Sequence, residues 1–228
     1  MASKSVRVPK DSVNKFQGRT IEIVVGDEQK IYNVHEGLVR ASSPFFEKAL
    51  AGEWKESAQR TIQLRDDEPE IVALYIHWLY CGKLAVCCGE PGRIPNSEYL
   101  DLVKAYVLGD KILDTLFQDA IVDAIVESRR STGQDETSSY PFGEALEYAY
   151  NRLAETAPIL ELFVDMYVSD AHSSWLHKIA DSTTVPQPFL LRLASKLLDR
   201  CDASWDPLKA CNYHTHGKNP TKLPSTDS

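Results

Sequence analysis

A cluster of cysteine and histidine side chains near the C-terminal end has the most obvious chemistry in this sequence. Cys211, His214 and His216 supply three possible metal ligands within six residues, and Cys201 stands ten residues upstream. Thiolate and imidazole are ligands that Zn²⁺ prefers in proteins. The spacing matches no familiar zinc finger, and a polar tail with clustered side chains accounts for the same residues. We therefore expect no bound metal or cofactor, and keep Cys211, His214 and His216 as candidates for a metal site.

His35 is the residue that a catalytic hypothesis would start from. No serine or cysteine stands at a spacing that suggests a nucleophile–base pair with it, and the chain has no Gly-x-Ser-x-Gly or His-Glu-x-x-His motif. A histidine that ends a strand and begins a helix explains the position better. Cys87 and Cys88 form a vicinal thiol pair, either redox-sensitive or ordinary loop residues. We expect that the protein is not an enzyme.

Composition excludes several classes of protein. The 228 residues carry a formal net charge of −8, which is unsuited to a phosphate backbone that is bound through Lys and Arg, so we expect no nucleic-acid partner. No stretch approaches the ~18 apolar residues of a membrane span, and we expect no membrane partner. Five cysteines without regular spacing argue against a disulfide framework. These features favour the cytoplasm or the nucleus.

Three short apolar runs predict strands. Ile21–Val25 and Gln29–Val34 flank a Gly-Asp turn and predict a hairpin, and Thr61–Leu64 predicts a third strand. The acidic run Asp66–Glu68 follows, and it is either a docking patch for a basic partner or a solvated helix N-terminus.

Helical periodicity begins at Pro69. The stripe of Ile71, Leu74, Tyr75, Trp78 and Leu79 predicts one helix that ends near Gly82. Residues 83–96 predict a loop, with one short strand at Leu84–Cys87 as an option. Two further helices are predicted, the first from Tyr99 to Val107 and the second from Leu113 to Ile125, with a break at Gly109–Asp110.

The remaining sequence divides the chain into five parts. We predict a flexible arm at 1–17, a domain at 18–128, a linker at 129–141, a helical extension at 142–202 and a tail at 203–228. The extension has three helical patterns. Their apolar positions are Leu146, Ala149, Tyr150 and Leu153, then Leu160, Phe163, Val164 and Tyr167, and finally Phe189, Leu190, Leu193 and Leu197.

Two motifs within 18–128 resemble those of the BTB/POZ family. Ile31–Leu50 (IYNVHEGLVRASSPFFEKAL) has the family's Val-His strand end, its Leu-containing helix and its Ser-x-Phe-Phe step. Ile76–Lys83 (IHWLYCGK) resembles the family's aromatic-Tyr-Thr-Gly ending, with Cys81 in place of Thr. The resemblance covers roughly Arg19 to Ser128, and the rest resembles fungal BTB proteins with a helical C-terminal extension. It implies an α+β fold, mainly α, in which helices cap a small sheet.

The resemblance implies that the protein acts by protein–protein contact. Possible partners are a cullin-type ubiquitin ligase scaffold and a second copy of the chain, and the alternative is a homo-oligomeric scaffold or transcription-linked regulator without a ligase connection. The surfaces predicted to bind a partner include Tyr80, Lys83, Ile94 and Tyr99. Thr20 and Asn33 stand where dimeric transcription factors of the family carry an acid and an arginine. The ion pair of that charged pocket is therefore not expected here.

Overall fold

The computed structural model describes residues 7, 9–51, 60–87, 96–130, 140–170 and 185–200, which form an α+β fold that is mainly helical. After a short 3-10 helix at Lys10–Phe16, the strands are β1 (Thr20–Val25), β2 (Lys30–His35) and β3 (Thr61–Leu64). The first five helices are α1 (Glu36–Ser42), α2 (Pro44–Ala51), α3 (Pro69–Cys81), α4 (Asn96–Lys111) and α5 (Thr115–Arg130). They are followed by α6 (Glu144–Arg152), α7 (Pro158–Asp170) and α8 (Gln187–Arg200). The predicted fold class is confirmed.

The three predicted strands form one small sheet in the order β2-β1-β3. β1 pairs antiparallel with β2, with Ile23 opposite Tyr32, and parallel with β3, with Ile23 opposite Ile62. Ile21, Ile23 and Val25 are buried, so β1 places one face of the sheet in the core. The optional strand at Leu84–Cys87 is wrong, because these residues follow α3 without strand structure.

α3 lies where the apolar stripe predicted it. Pro69 occupies its first turn, and Gly82 ends it in the left-handed conformation (φ 64°), where its N–H donates to the Trp78 carbonyl over 2.7 Å. Glycine adopts this conformation without a steric penalty. The buried residues of the stripe pack under the sheet, and Tyr32 Oη donates to the Pro69 carbonyl at the other end of the helix.

The predicted break at Gly109–Asp110 is wrong, since α4 continues through both residues to Lys111. Gly109 allows close packing between α4 and α5. A Cβ atom at this position would lie 2.9 Å from Gln118 Cγ and 3.2 Å from Phe117 Cδ1, both on α5. The absence of a side chain therefore allows α4 and α5 to approach each other, and the local helix-breaking tendency of glycine is overridden by this contact.

A buried carboxylate joins these elements. Asp114, which is fully buried in the α4–α5 turn, accepts hydrogen bonds from Ser42 Oγ, from Tyr75 Oη over 2.9 Å and from the Phe117 backbone N–H over 3.0 Å. The last bond caps the N-terminus of α5. One residue thus connects the end of α1, the middle of α3 and the start of α5.

The C-terminal helices share the core of the preceding domain. α6 packs on α4, and its buried Ala145, Leu146 and Ala149 belong to the same continuous apolar cluster as Ile23 and Val25 of the sheet. All three predicted helices of the extension are present. Within the described part of the chain, we find no helix with the length and apolarity needed to cross a membrane.

Candidate protein-interaction surface

The end of α3 carries the predicted interaction residues Tyr80 and Lys83. On either side of Gly82, Tyr80 (38% exposed), Cys81 and Lys83 are exposed. Trp78, two residues before Tyr80 in the same helix, packs inward instead, with its ring centroid 5.1 Å from that of Phe117. The sequence around Gly82 therefore anchors one side of the helix end and exposes the other.

Tyr80 is held in place by the end of β2. Its hydroxyl lies 3.1 Å from the His35 backbone N–H, which donates to it, and 2.7 Å from His35 Nδ1. If Nδ1 is unprotonated, the hydroxyl accepts the first bond and donates the second, and both groups are satisfied. The side chain of His35 thus has a structural partner, as expected for a residue at the strand–helix junction.

Phe16 completes an aromatic group at this position. Its ring stacks on Tyr80 with 6.2 Å between the centroids, and it meets the His35 ring edge-on at 6.4 Å. Gly37 permits this arrangement, because a Cβ atom there would lie 3.2 Å from the Lys15 carbonyl oxygen. We call Phe16, His35, Tyr80 and Lys83 the Tyr80 surface.

The N-terminal part of this surface was missed in the sequence, where residues 1–17 predict a flexible arm. Lys10–Phe16 instead form a 3-10 helix. The polar composition of the arm contains no helical period. The signal that could have drawn attention to it is Phe16, a large aromatic residue at the end of an otherwise polar segment.

The other two predicted interaction residues do not extend the surface. Tyr99 is fully buried, so its side chain stabilises the core and is not available for direct contact with a partner. Ile94 lies outside the described residues. Glu98, in the first turn of α4, is only 7% exposed, and burial together with the negative charge of Asp101 raises the pKa of its carboxyl group.

The acidic run before α3 is engaged within the molecule. Asp67 forms an ion pair with Lys111 over 2.7 Å, and Glu68 forms one with Lys104 over 2.7 Å, both lysines being on α4. Two of the three carboxylates of Asp66–Glu68 therefore have partners in the fold. This arrangement supports the interpretation of the run as a helix N-terminus and does not require a basic docking partner.

The predicted metal ligands are not among the residues of the Tyr80 surface. Cys201, Cys211, His214 and His216 lie outside the described residues. In the ranges that the structure does describe, no three His, Cys, Asp or Glu side chains converge as a metal site would require. Cys81 and Cys87 are free, exposed thiols.

An apolar pair that the sequence placed in a helix is exposed in the structure. Leu113 lies in the α4–α5 turn with a φ of 59° and is 54% exposed, and Leu116 in the first turn of α5 is 65% exposed. Both belonged to the predicted apolar face of the helix from Leu113 to Ile125. Because Asp114 occupies the buried position between them, the two leucines are turned outward.

The described residues form an α+β domain in which helices cap a small three-stranded sheet. Residues 13–108 match the family model for the BTB/POZ domain, so this stretch of the chain belongs to the BTB/POZ family. BTB/POZ domains are protein-interaction modules, which agrees with the prediction that the chain is not an enzyme.

Curated relatives are similar over part of this region. The chain is 38% identical over 56 residues to Kelch-like protein 30 of Homo sapiens, and 32% identical over 66 residues to Kelch-like protein 30 of Mus musculus. The matches cover 25% and 29% of this chain but only 10% and 11% of those relatives. Among solved structures, the BTB domain of human gigaxonin matches with a TM-score of 0.37 and 14% identity, covering 54% of this chain and 98% of that one.

Proposed function

We propose that the protein is an adaptor whose BTB/POZ domain binds a cullin-type ubiquitin ligase scaffold through the Tyr80 surface. In this proposal the C-terminal helices bind a further protein molecule, and the protein acts in the cytoplasm or the nucleus. Membership of the BTB/POZ family and the similarity to Kelch-like proteins support the choice of partner.

The observation that carries the proposal is the position of Tyr80. Its ring is exposed, yet its hydroxyl is fixed by His35 and one face of the ring is fixed by Phe16. An aromatic side chain that is ordered before binding loses little conformational entropy when a partner covers it, and tyrosine is enriched among the residues that dominate binding energies. Lys83 beside it adds a charge that can select an acidic partner surface.

The test is an affinity purification of the full chain from its native cells, with the cullin quantified by mass spectrometry. The variant Tyr80→Ala/Lys83→Glu should recover at least tenfold less cullin than the unmodified chain. Glu127→Lys, an exposed charge change on α5, is the matched control and should recover it normally. Circular dichroism should give the same spectrum for all three proteins. Absence of any cullin with the unmodified chain, or equal recovery with both variants, contradicts the proposal.

Self-association without a ligase is the second candidate function. It is favoured by exposed leucines on α8, of which Leu191 is 63% and Leu198 70% exposed. A homogeneous oligomer in light scattering, together with no cullin in the purification, would support this scaffold function over the adaptor function.

A further inference from the structure

The helix α8, the last one in the described part of the chain, has two apolar faces. Phe189 and Leu193 are buried, and the Phe189 ring meets Tyr167 of α7 edge-on with 5.1 Å between the centroids. On the opposite side lies a second apolar face, which we call the leucine face. Its members are Leu190 (40% exposed), Leu191 (63%), Ala194, Leu197 (41%) and Leu198 (70%).

The spacing of the leucine face is that of a helix–helix seam. The pair Leu190–Leu191 repeats seven residues later as Leu197–Leu198, with Ala194 between the pairs. Residues seven positions apart lie on the same side of a helix, so these five residues form one apolar stripe of the kind that packs against another helix. The buried face already has its partner in α7, so this repeat is available for a second helix.

The cations of α8 are directed away from the leucine face. Lys196 forms ion pairs with Glu161 and Asp165 of α7, the latter over 2.7 Å. Arg192 donates to the Glu155 carbonyl over 2.5 Å, and Arg200 donates to the Val168 carbonyl over 2.8 Å. All three cations of the helix therefore hold it onto its own chain.

An uncharged face is suited to a copy of itself. In a two-fold symmetric contact each residue meets its own surroundings, so a charged face would repel its copy and an apolar face would not. We propose that the leucine face of α8 pairs with the leucine face of α8 in a second copy of this chain. The inference rests on the proposed function, because it identifies the further protein molecule bound by the C-terminal helices.

The exposed area of the leucine face sets the expected strength of the pairing between two copies. The four leucines together expose the equivalent of about two whole leucine side chains per copy. A helix of this length is roughly 21 Å long, and its pairing buries an area near the lower limit of ~1,000 Å² for specific interfaces. We therefore expect a concentration-dependent dimer with a dissociation constant in roughly the micromolar range.

Sedimentation of the full chain over a hundredfold range of concentration tests the proposal. The variant Leu191→Glu/Leu198→Glu should weaken self-association at least tenfold, because four buried carboxylates would meet in the pair. Both positions are exposed and glutamate is a good helix former, so circular dichroism should be unchanged. Leu113→Glu/Leu116→Glu adds the same charge at another exposed leucine pair and should associate as the unmodified chain does.

A photo-crosslinking amino acid in place of Ala194 identifies what covers the face. In a mixture of isotopically light and heavy chains, crosslinks between α8 of a light chain and α8 of a heavy chain support the proposal. Crosslinks confined to one chain, for example to 201–228, would mean that the chain covers the face itself and would overturn it. A monomeric unmodified chain, or a dimer unaffected by Leu191→Glu/Leu198→Glu, would also overturn it.

The two proposals can fail separately. The α8 variant leaves the Tyr80 surface unchanged, and should therefore recover the cullin as well as the unmodified chain does. If no cullin is recovered but the α8 dimer is lost in the variant, the adaptor function fails and the α8 contact stands.

Discussion

The buried carboxylate of Asp114 offers a sharp test of how this domain is held together. Asp114→Ala would remove the acceptor for the Tyr75 hydroxyl and for the Phe117 backbone N–H, both of them in residues with at most 1% exposure. The buried Tyr75 hydroxyl left without an acceptor costs about 1–3 kcal/mol, and loss of the α5 cap, which is the bond to the Phe117 N–H, costs about 1 kcal/mol. Ser42 is half-buried and can turn to water.

We expect Asp114→Ala to lower the free energy of unfolding by about 2–4 kcal/mol, a large part of the ~5–15 kcal/mol available to a typical domain. The measurement is urea unfolding at neutral pH, followed by far-ultraviolet circular dichroism. Asp114→Asn keeps a carbonyl oxygen for the Phe117 N–H and should cost only about 1–2 kcal/mol.

A double substitution tests whether Asp114 is the acceptor that the Tyr75 hydroxyl needs. Tyr75→Phe alone should cost about 1 kcal/mol, but in the Asp114→Ala background it removes the orphaned hydroxyl. The double variant should then be no less stable than Asp114→Ala. Strict additivity of the two losses, or a loss below about 1 kcal/mol for Asp114→Ala, would refute the assignment of Asp114 as a shared acceptor.

Four further outcomes are expected. Gly109→Ala should lower the free energy of unfolding by about 1–2 kcal/mol. Overpacking against Phe117 should outweigh the gain of about 1 kcal/mol in helix propensity. A stabilised variant would contradict the close approach of α4 and α5. Burial, and then the charge of Asp114, raise the pKa of Tyr75, so the unfolded chain ionises first and stability should fall as pH rises above about 10. Tyr75→Phe should show a smaller alkaline loss in urea unfolding. Because the pKa of Glu98 is raised by burial and then by a neighbouring carboxylate, Glu98→Gln should stabilise the fold at neutral pH. That advantage should vanish below about pH 4.3, where the carboxyl is protonated in both states. A chain cut after residue 130 should aggregate in sedimentation experiments, since removal of α6 uncovers the apolar face of α4; a well-behaved monomer would refute the shared core.

The strands and α3 could be predicted because their signals are local. β1, β2 and β3 coincide closely with the apolar runs, and α3 coincides with a stripe closed by Pro69 and Gly82. In each case the backbone conformation that the residues prefer is also the one that buries their apolar face. Segments in which the local backbone preference agrees with the packing can therefore be predicted from sequence.

The features that were missed depend on contacts between distant residues. Gly109 is helical because α5 packs against it, and Lys10–Phe16 form a 3-10 helix beside Gly37 and Tyr80, far along the chain. No local pattern contains that information. The 3-10 helix exists where a glycine elsewhere leaves room for its backbone.

Tyr99 shows an error that the sequence itself could have prevented. The period that predicts α4 places Tyr99 on the same face as Val103 and Tyr106, and all three are buried. The residue was predicted to bind a partner because of its place beside a loop, although its periodicity indicated the core.

The last helix shows the opposite error. Phe189, Leu190, Leu193 and Leu197 were predicted as a single apolar face, whereas the structure buries only Phe189 and Leu193. Packing of the Phe189 ring against Tyr150 and Tyr167 favours the observed orientation, in which Lys196 also pairs with Glu161 and Asp165 of α7.

Both candidate surfaces lie on helices that are already fixed by their opposite sides. α3 is held by Tyr75 and Leu79 in the core, and α8 by Phe189, Leu193 and the ion pairs of Lys196. A partner at either surface would bind a helix that needs no further ordering, which lowers the entropic cost of association. Substitutions at Leu191 and Leu198 should therefore change binding with little effect on folding, because the contacts that stabilise α8 are made by its buried residues and its cations. Tyr80→Ala also removes the bond to His35 and the ring contact with Phe16, so it should cost more stability. Binding and stability should therefore be separable by mutation most cleanly at the leucine face.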